Sequence, residues 1–218
     1  VNAGNSIASG GNYNTVVGDE AGTAITTGDS NVALGYQAGT AITTGDNNTA
    51  MGYRALFTED TGNRSVAIGD YTLNVQNNDD SNYNTAVGYA AGLSVTTGVQ
   101  NTLIGGLAGD AITTAANSTA VGYAALGANT TGWSNVAVGY SSLAANTTAE
   151  NNVAVGREAL ATNTTGASNV ALGRNALYAN TTASNNTGVG YLALTANTTG
   201  ASNVAVGYQA LDANTTAA

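Results

Sequence analysis

Proline, cysteine, histidine and lysine are absent from this 218-residue sequence, phenylalanine, tryptophan and methionine occur once each, and only 8% of the residues are charged. Each absence removes a class of chemistry. Without Cys or His there is no disulfide framework, no thiolate or imidazole metal site and no nucleophile-histidine pair. The acids cluster only as adjacent pairs, Asp19-Glu20, Glu59-Asp60 and Asp79-Asp80, not as the spaced oxygen ligands of a calcium loop. Glycoside hydrolysis needs two carboxylates across a cleft, and a regular repeat offers no cleft. The expectation is a chain that is no enzyme and takes no metal or cofactor. Positive charge is confined to Arg54, Arg64, Arg157 and Arg174 against a net charge of -9, too few cations for the phosphate contacts of a nucleic-acid binder. No run approaches 18 apolar residues, so no membrane insertion is expected, and residues 1–10 lack the basic and apolar regions of a secretion signal. The missing cysteines leave the compartment open.

What is present is repetition. Ala, Gly, Asn and Thr supply about three-fifths of the chain. A five-residue core, typified by Asn135-Val136-Ala137-Val138-Gly139, begins at residues 14, 31, 48, 65, 84, 101, 118, 135, 152, 169, 186 and 203. The period is 17 throughout, except for one interval of 19 whose extra residues fall within 77–83. Counting Asn14 and its equivalents as position one, positions two and four are bulky and apolar or Thr, position three is nearly always Ala, and position five is always Gly. That alternation predicts a short strand with one bulky and one minimal face. The minimal face is expected where another backbone or subunit comes close, and the glycine where the chain bends out of the strand.

The second half of each unit brings one further large side chain. Where position nine is Gly (Gly22, Gly39, Gly92, Gly109), position twelve is Ile or Val (Ile25, Ile42, Val95, Ile112). In the last six units position nine is Leu and position twelve is Asn. One core hole per unit, filled from either of two positions, explains the exchange, since an empty hole costs a few kcal/mol. Asn or Ser at position one in every unit predicts a ladder of stacked side chains.

Seventeen residues is too short for a helix pair and suits one coil of a parallel solenoid. The predicted fold is all-β, a parallel β-solenoid or β-roll of about twelve 17-residue coils, with 1–13 as an N-terminal cap or partial coil, 14–83 as a first block of four coils and 84–218 as a second of eight. The two blocks repeat the Gly-Gly-Leu-Leu order at position nine, and each follows an Asn-Tyr pair, as a 70-residue duplication would leave them. The chain opens without Met and closes at a unit boundary, and is read as excised from a longer array. Few bulky residues per coil make a thin core, and thin cores tend to oligomerise.

The runs NVALGYQAG (31–39), NTAVGYAAG (84–92) and NVAVGYQALDANTTAA (203–218) resemble the head repeats of YadA-like trimeric autotransporter adhesins and the N-T-A-V-G-Y-Q-A-G repeats of phage tail fibres. The resemblance covers residues 14–218, with a longer coil than the adhesin head and no recognisable neck, stalk or anchor. It implies a rod-like homotrimer, intertwined or side by side, with the Ala/Gly strand face near the subunit contacts. It also implies an extracellular, cell-surface or virion-surface fibre that presents or contributes to adhesion to a host-surface glycan or protein receptor. The alternatives are a subunit of a passive extracellular filament and an ice-binding solenoid.

Three patterns are candidate sites. Position six carries Tyr36, Tyr53, Tyr89, Tyr123, Tyr140, Tyr191 and Tyr208, a line of aromatic faces suited to sugar rings or a receptor, although a tyrosine after a glycine bend also serves simply to cover a corner of the coil. Adjacent threonines such as Thr130-Thr131 suggest ice binding, but neighbours on a strand face opposite sides, leaving a single outward file. Six Asn-Thr-Thr sequons, at Asn129, Asn146, Asn163, Asn180, Asn197 and Asn214, match the N-glycosylation signal, which an Asn- and Thr-rich chain produces easily.

Overall fold

A computed structural model describes residues 2–7 and 10–217. It contains twelve three-residue strands, one per repeat, from β1 (Thr15–Val17) to β12 (Val204–Val206). They form a single parallel sheet in strict sequence order. Each strand pairs with the next at equivalent positions, as Val136↔Val153, Ala137↔Ala154 and Val138↔Val155 show. The chain is a β-solenoid, and the predicted period and register hold. The two extra residues within 77–83 leave the sheet intact, because β4 (Val66–Ile68) pairs in register with β5 (Thr85–Val87). The insertion is absorbed beside an isolated bridge between Asn63 and Ser81. At the N-terminal end the described residues lie on the first coil, where the Gly4 amide donates to the Ala21 carbonyl at 2.9 Å and the Asn12 amide to Asp29 Oδ1 at 2.6 Å.

Of the two neighbours expected at the minimal strand face, the structure places the chain's own interior there, which corrects the subunit contact that the resemblance implied for it. Alanine at position three is buried in every coil that has it, from Ala33 to Ala205, within the core of its own chain. The bulky residues at positions two and four point outward and are intermediate or exposed. An interior holding two alanines, one Leu, Ile or Val, and an asparagine per coil leaves no room for two more branched side chains. The Ala face therefore packs against its own chain and is closed to any neighbouring subunit.

The exchange at positions nine and twelve is a packing exchange, as expected: Ile25, Ile42, Val95 and Ile112 are fully buried in the coils with glycine, and Leu56, Leu73, Leu126 and Leu143 in the others. Position nine has a left-handed φ in every coil, from +45° at Leu73 to +60° at Gly92. Leucine tolerates this left-handed conformation because burial of its side chain, about 1.5–3 kcal/mol, offsets the local strain.

Two asparagine ladders line the rest of the interior. At position one, Asn48 Oδ1 accepts the Ser65 amide at 2.9 Å while its Nδ2 donates to the Gly62 carbonyl at 2.8 Å. At position twelve, Asn163 Nδ2 donates to Asn146 Oδ1 at 3.1 Å and to the Gly166 carbonyl at 2.9 Å. The second ladder consists of the sequon asparagines. Asn129, Asn146, Asn163, Asn180 and Asn197 are fully buried, so the folded coil closes these nitrogens to a glycosyl donor.

In coils three and four, ahead of that ladder, position twelve holds Glu59 and Gln76, both fully buried. Glu59 Oε1 accepts the Gly62 amide at 2.9 Å, and Oε2 accepts from Gln76 Nε2 at 2.8 Å and Asn82 Nδ2 at 2.9 Å. Burial outweighs these donors and the carboxyl is held above its ordinary value. A raised folded value means that stability is fullest below the unfolded value and declines as pH rises through the folded one. Asn82 Oδ1 is buried without a partner, and an amide at position 59 would set its N–H groups against either the Gln76 or the Gly62 donor. Glu59→Gln is expected to flatten the decline of the melting temperature between pH 4 and pH 7, as thermal unfolding of both proteins at both pH values will show.

Candidate functional site

Among the described residues no concave pocket is present, and no three acidic groups cluster to hold a metal ion. What the fold offers is repeated surface, and two strips of it are regular.

The first is the outward strand face. Its two files run the length of the sheet, position two alternating irregularly between Thr and Val and position four carrying Val, Leu, Ile or Met. None of the 24 positions holds a charged residue or an amide. Leu34, Ile68, Ile104 and Leu172 are exposed along its length. The sequence pattern marked this strand face as bulky but did not single it out as a surface.

The second strip is position six, just past the glycine bend. All seven tyrosines predicted there lie on one file, and six of them are exposed, Tyr53 being half-buried. They gather in three groups. Tyr36 stacks on Tyr53 with centroids 5.7 Å apart, Tyr123 on Tyr140 at 5.8 Å and Tyr191 on Tyr208 at 5.4 Å. Tyr71, a position-seven residue that the sequence pattern did not single out, bridges Tyr53 and Tyr89 edge-on at 5.0 and 6.2 Å. Its phenol is held above the ordinary value, chiefly by the Tyr53 hydroxyl. In the stacked pairs the ring faces are turned to one another, which corrects the expectation of a row of open aromatic faces. Arginine continues the stacking: Arg157 lies 5.6 Å from the Tyr140 centroid and Arg174 5.9 Å from that of Tyr191.

The paired threonines divide as the alternation argument required. Position-thirteen hydroxyls are committed to the next coil, Thr130 Oγ1 donating to the Thr147 carbonyl and Thr147 Oγ1 to that of Thr164. Position fourteen forms the single outward file, with Thr131, Thr148 and Thr165 exposed.

No protein-family model, curated protein or solved structure matches this chain. The reading of its function rests on these surfaces and on the repeat motif.

Proposed function

We propose that this chain is a rigid, non-catalytic rod of an extracellular or virion-surface fibre, assembled as a homotrimer through its outward strand face and contributing to adhesion. The observation that carries the reading is that face: uncharged, aliphatic apart from the position-two threonines and one methionine, and continuous over twelve strands. At about 4.8 Å per strand it is roughly 58 Å long and, across two files with their side chains, about 12 Å wide. That is on the order of 700 Å², above the apolar patch of an ordinary monomer and close to the roughly 800 Å² per partner of a stable interface. The resemblance to trimeric adhesin heads and tail-fibre repeats supports three copies; burial of the Ala face in its own chain shifts the proposed contact from that face to the Thr/Val face.

Light scattering across a range of concentrations tests the assembly. A constant mass near three times the 21.4 kDa chain is expected. Val138→Glu/Val155→Glu, placing carboxylates at the middle of the face, is expected to give single chains that keep their β-structure by circular dichroism. A wild-type monomer overturns the trimer, and polymers that grow with concentration favour the filament subunit. Ice binding is a second reading of the same face, because positions two and four supply the two outward ranks that the paired threonines do not. A monomer with thermal hysteresis would replace the fibre.

A further inference from the structure

The position-six file changes character along the rod. In its first half the file includes Asp19 and Asp70, and residues 1–117 hold ten of the thirteen acidic side chains. From coil seven onward the file reads Tyr123, Tyr140, Arg157, Arg174, Tyr191, Tyr208, without an acid. The backbone ladder runs unbroken under it: the Glu158 amide donates to the Tyr140 carbonyl at 2.9 Å, that of Asn175 to Arg157 at 3.0 Å and that of Leu192 to Arg174 at 3.1 Å. The six side chains therefore stand one coil apart over about 24 Å. They form one pile, two stacked tyrosines, two arginines and two stacked tyrosines, in which each arginine packs on the neighbouring ring.

Two arginines at the same position of adjacent coils repel each other, and this is the one place in the sequence where cations are so paired. Glu158 offsets part of the charge, touching Arg157 at 3.4 Å. Its carboxyl is held below the ordinary range, first by Asn175 and then by Arg157 and Arg174. One positive charge remains, and both guanidinium groups are solvent-exposed. Stacking holds planar forks in place for an incoming oxyanion, so little ordering is left to be lost on binding. The flanking phenols add hydroxyl donors and acceptors at one-coil intervals.

We propose that Tyr123, Tyr140, Arg157, Arg174, Tyr191 and Tyr208 form a binding strip for an acidic polysaccharide lying along the rod, its carboxylate or sulfate groups on the arginine pair and its hydroxyls on the phenols. This deepens the adhesive part of the fibre reading and depends on it only for biological setting. The probes are polygalacturonate, which carries carboxylates, chondroitin sulfate, which adds sulfate, and neutral dextran, each immobilised for biolayer interferometry with the full chain. The chain is expected to bind at least one of the two polyanions and not dextran. Binding to chondroitin sulfate alone identifies sulfate as the recognised group, and binding to polygalacturonate alone identifies carboxylates at its closer spacing. Arg157→Gln/Arg174→Gln is expected to weaken binding tenfold or more without moving the melting temperature, and Tyr140→Phe/Tyr191→Phe several-fold. Absence of binding to both polyanions, or equal binding by the arginine variant, overturns the proposal. Solution mass is measured on the same samples. A trimer that binds neither polyanion removes the strip and leaves the fibre, whereas a monomer that binds removes the trimer and leaves the strip.

Discussion

Gly105→Ala is expected to lower stability by about 4 kcal/mol, while Gly106→Ala, one residue further, is expected to change it by less than about 0.5 kcal/mol. Gly105 sits at position five with φ +132°, and a Cβ there would lie 2.6 Å from the Gly122 carbonyl oxygen and 2.7 Å from its carbon. The obstacle is the backbone of the next coil, which is itself fixed by the Gly122 amide donating to the Ile104 carbonyl at 2.8 Å. Neither partner can move without opening the ladder. Gly106 has no left-handed φ, and its added Cβ would meet only the Tyr123 ring edge at 3.5 Å. Thermal unfolding of the two variants, with amide exchange on coils six and seven, provides the check. Similar losses from both would mean that the position-five glycines are not held by the stacking of one bend upon the next.

Asn163→Asp is expected to cost about 3–5 kcal/mol at neutral pH although it changes hardly any volume. The substitution removes both donors of Nδ2, leaving Asn146 Oδ1 and the Gly166 carbonyl facing a carboxylate oxygen in a fully buried site. Only the Asn180 Nδ2 donor, at 2.9 Å, still suits the new group. Burial and two facing acceptors push the introduced carboxyl upward, so the neutral form is preferred when folded. The deficit is therefore largest above the folded value and shrinks as the pH falls below it, where a protonated Asp can again donate to one of the two acceptors. Unfolding at pH 7 and pH 4 separates this from a simple packing defect, which would be equal at both.

The coil period, the strand at its start, the register and the exchange between positions nine and twelve were legible because twelve copies repeat each signal. The orientation of the strand was not. Bulky alternate residues normally mark the buried face, and here the rule fails because the coil is too narrow to hold them. A subtler signal was available: positions one, three and five, which share a strand face, are almost fixed as Asn, Ala and Gly, whereas positions two and four vary among Thr, Val, Leu, Ile and Met. Fixed small residues reflect an interior without slack, and variable ones a surface. The position-twelve ladder was hidden by its likeness to a glycosylation signal. The tyrosine file could be read from spacing alone, but not the stacking of its rings, the addition of Tyr71 or the arginine pile, which depend on rotamers and on contacts between coils.

Most bonds between coils join residues 14 to 20 apart, as from Asn31 to Asn14 and from Asn203 to Asn186 at 17. For a chain of this length that corresponds to a relative contact order of about 0.08, in the range of helical bundles and below that of ordinary all-β domains. Each completed coil displays the carbonyls and amides that the next 17 residues need, and no segment waits for a distant partner. The solenoid can thus be laid down from one end as the chain emerges, with every coil first the product of one step and then the template for the next.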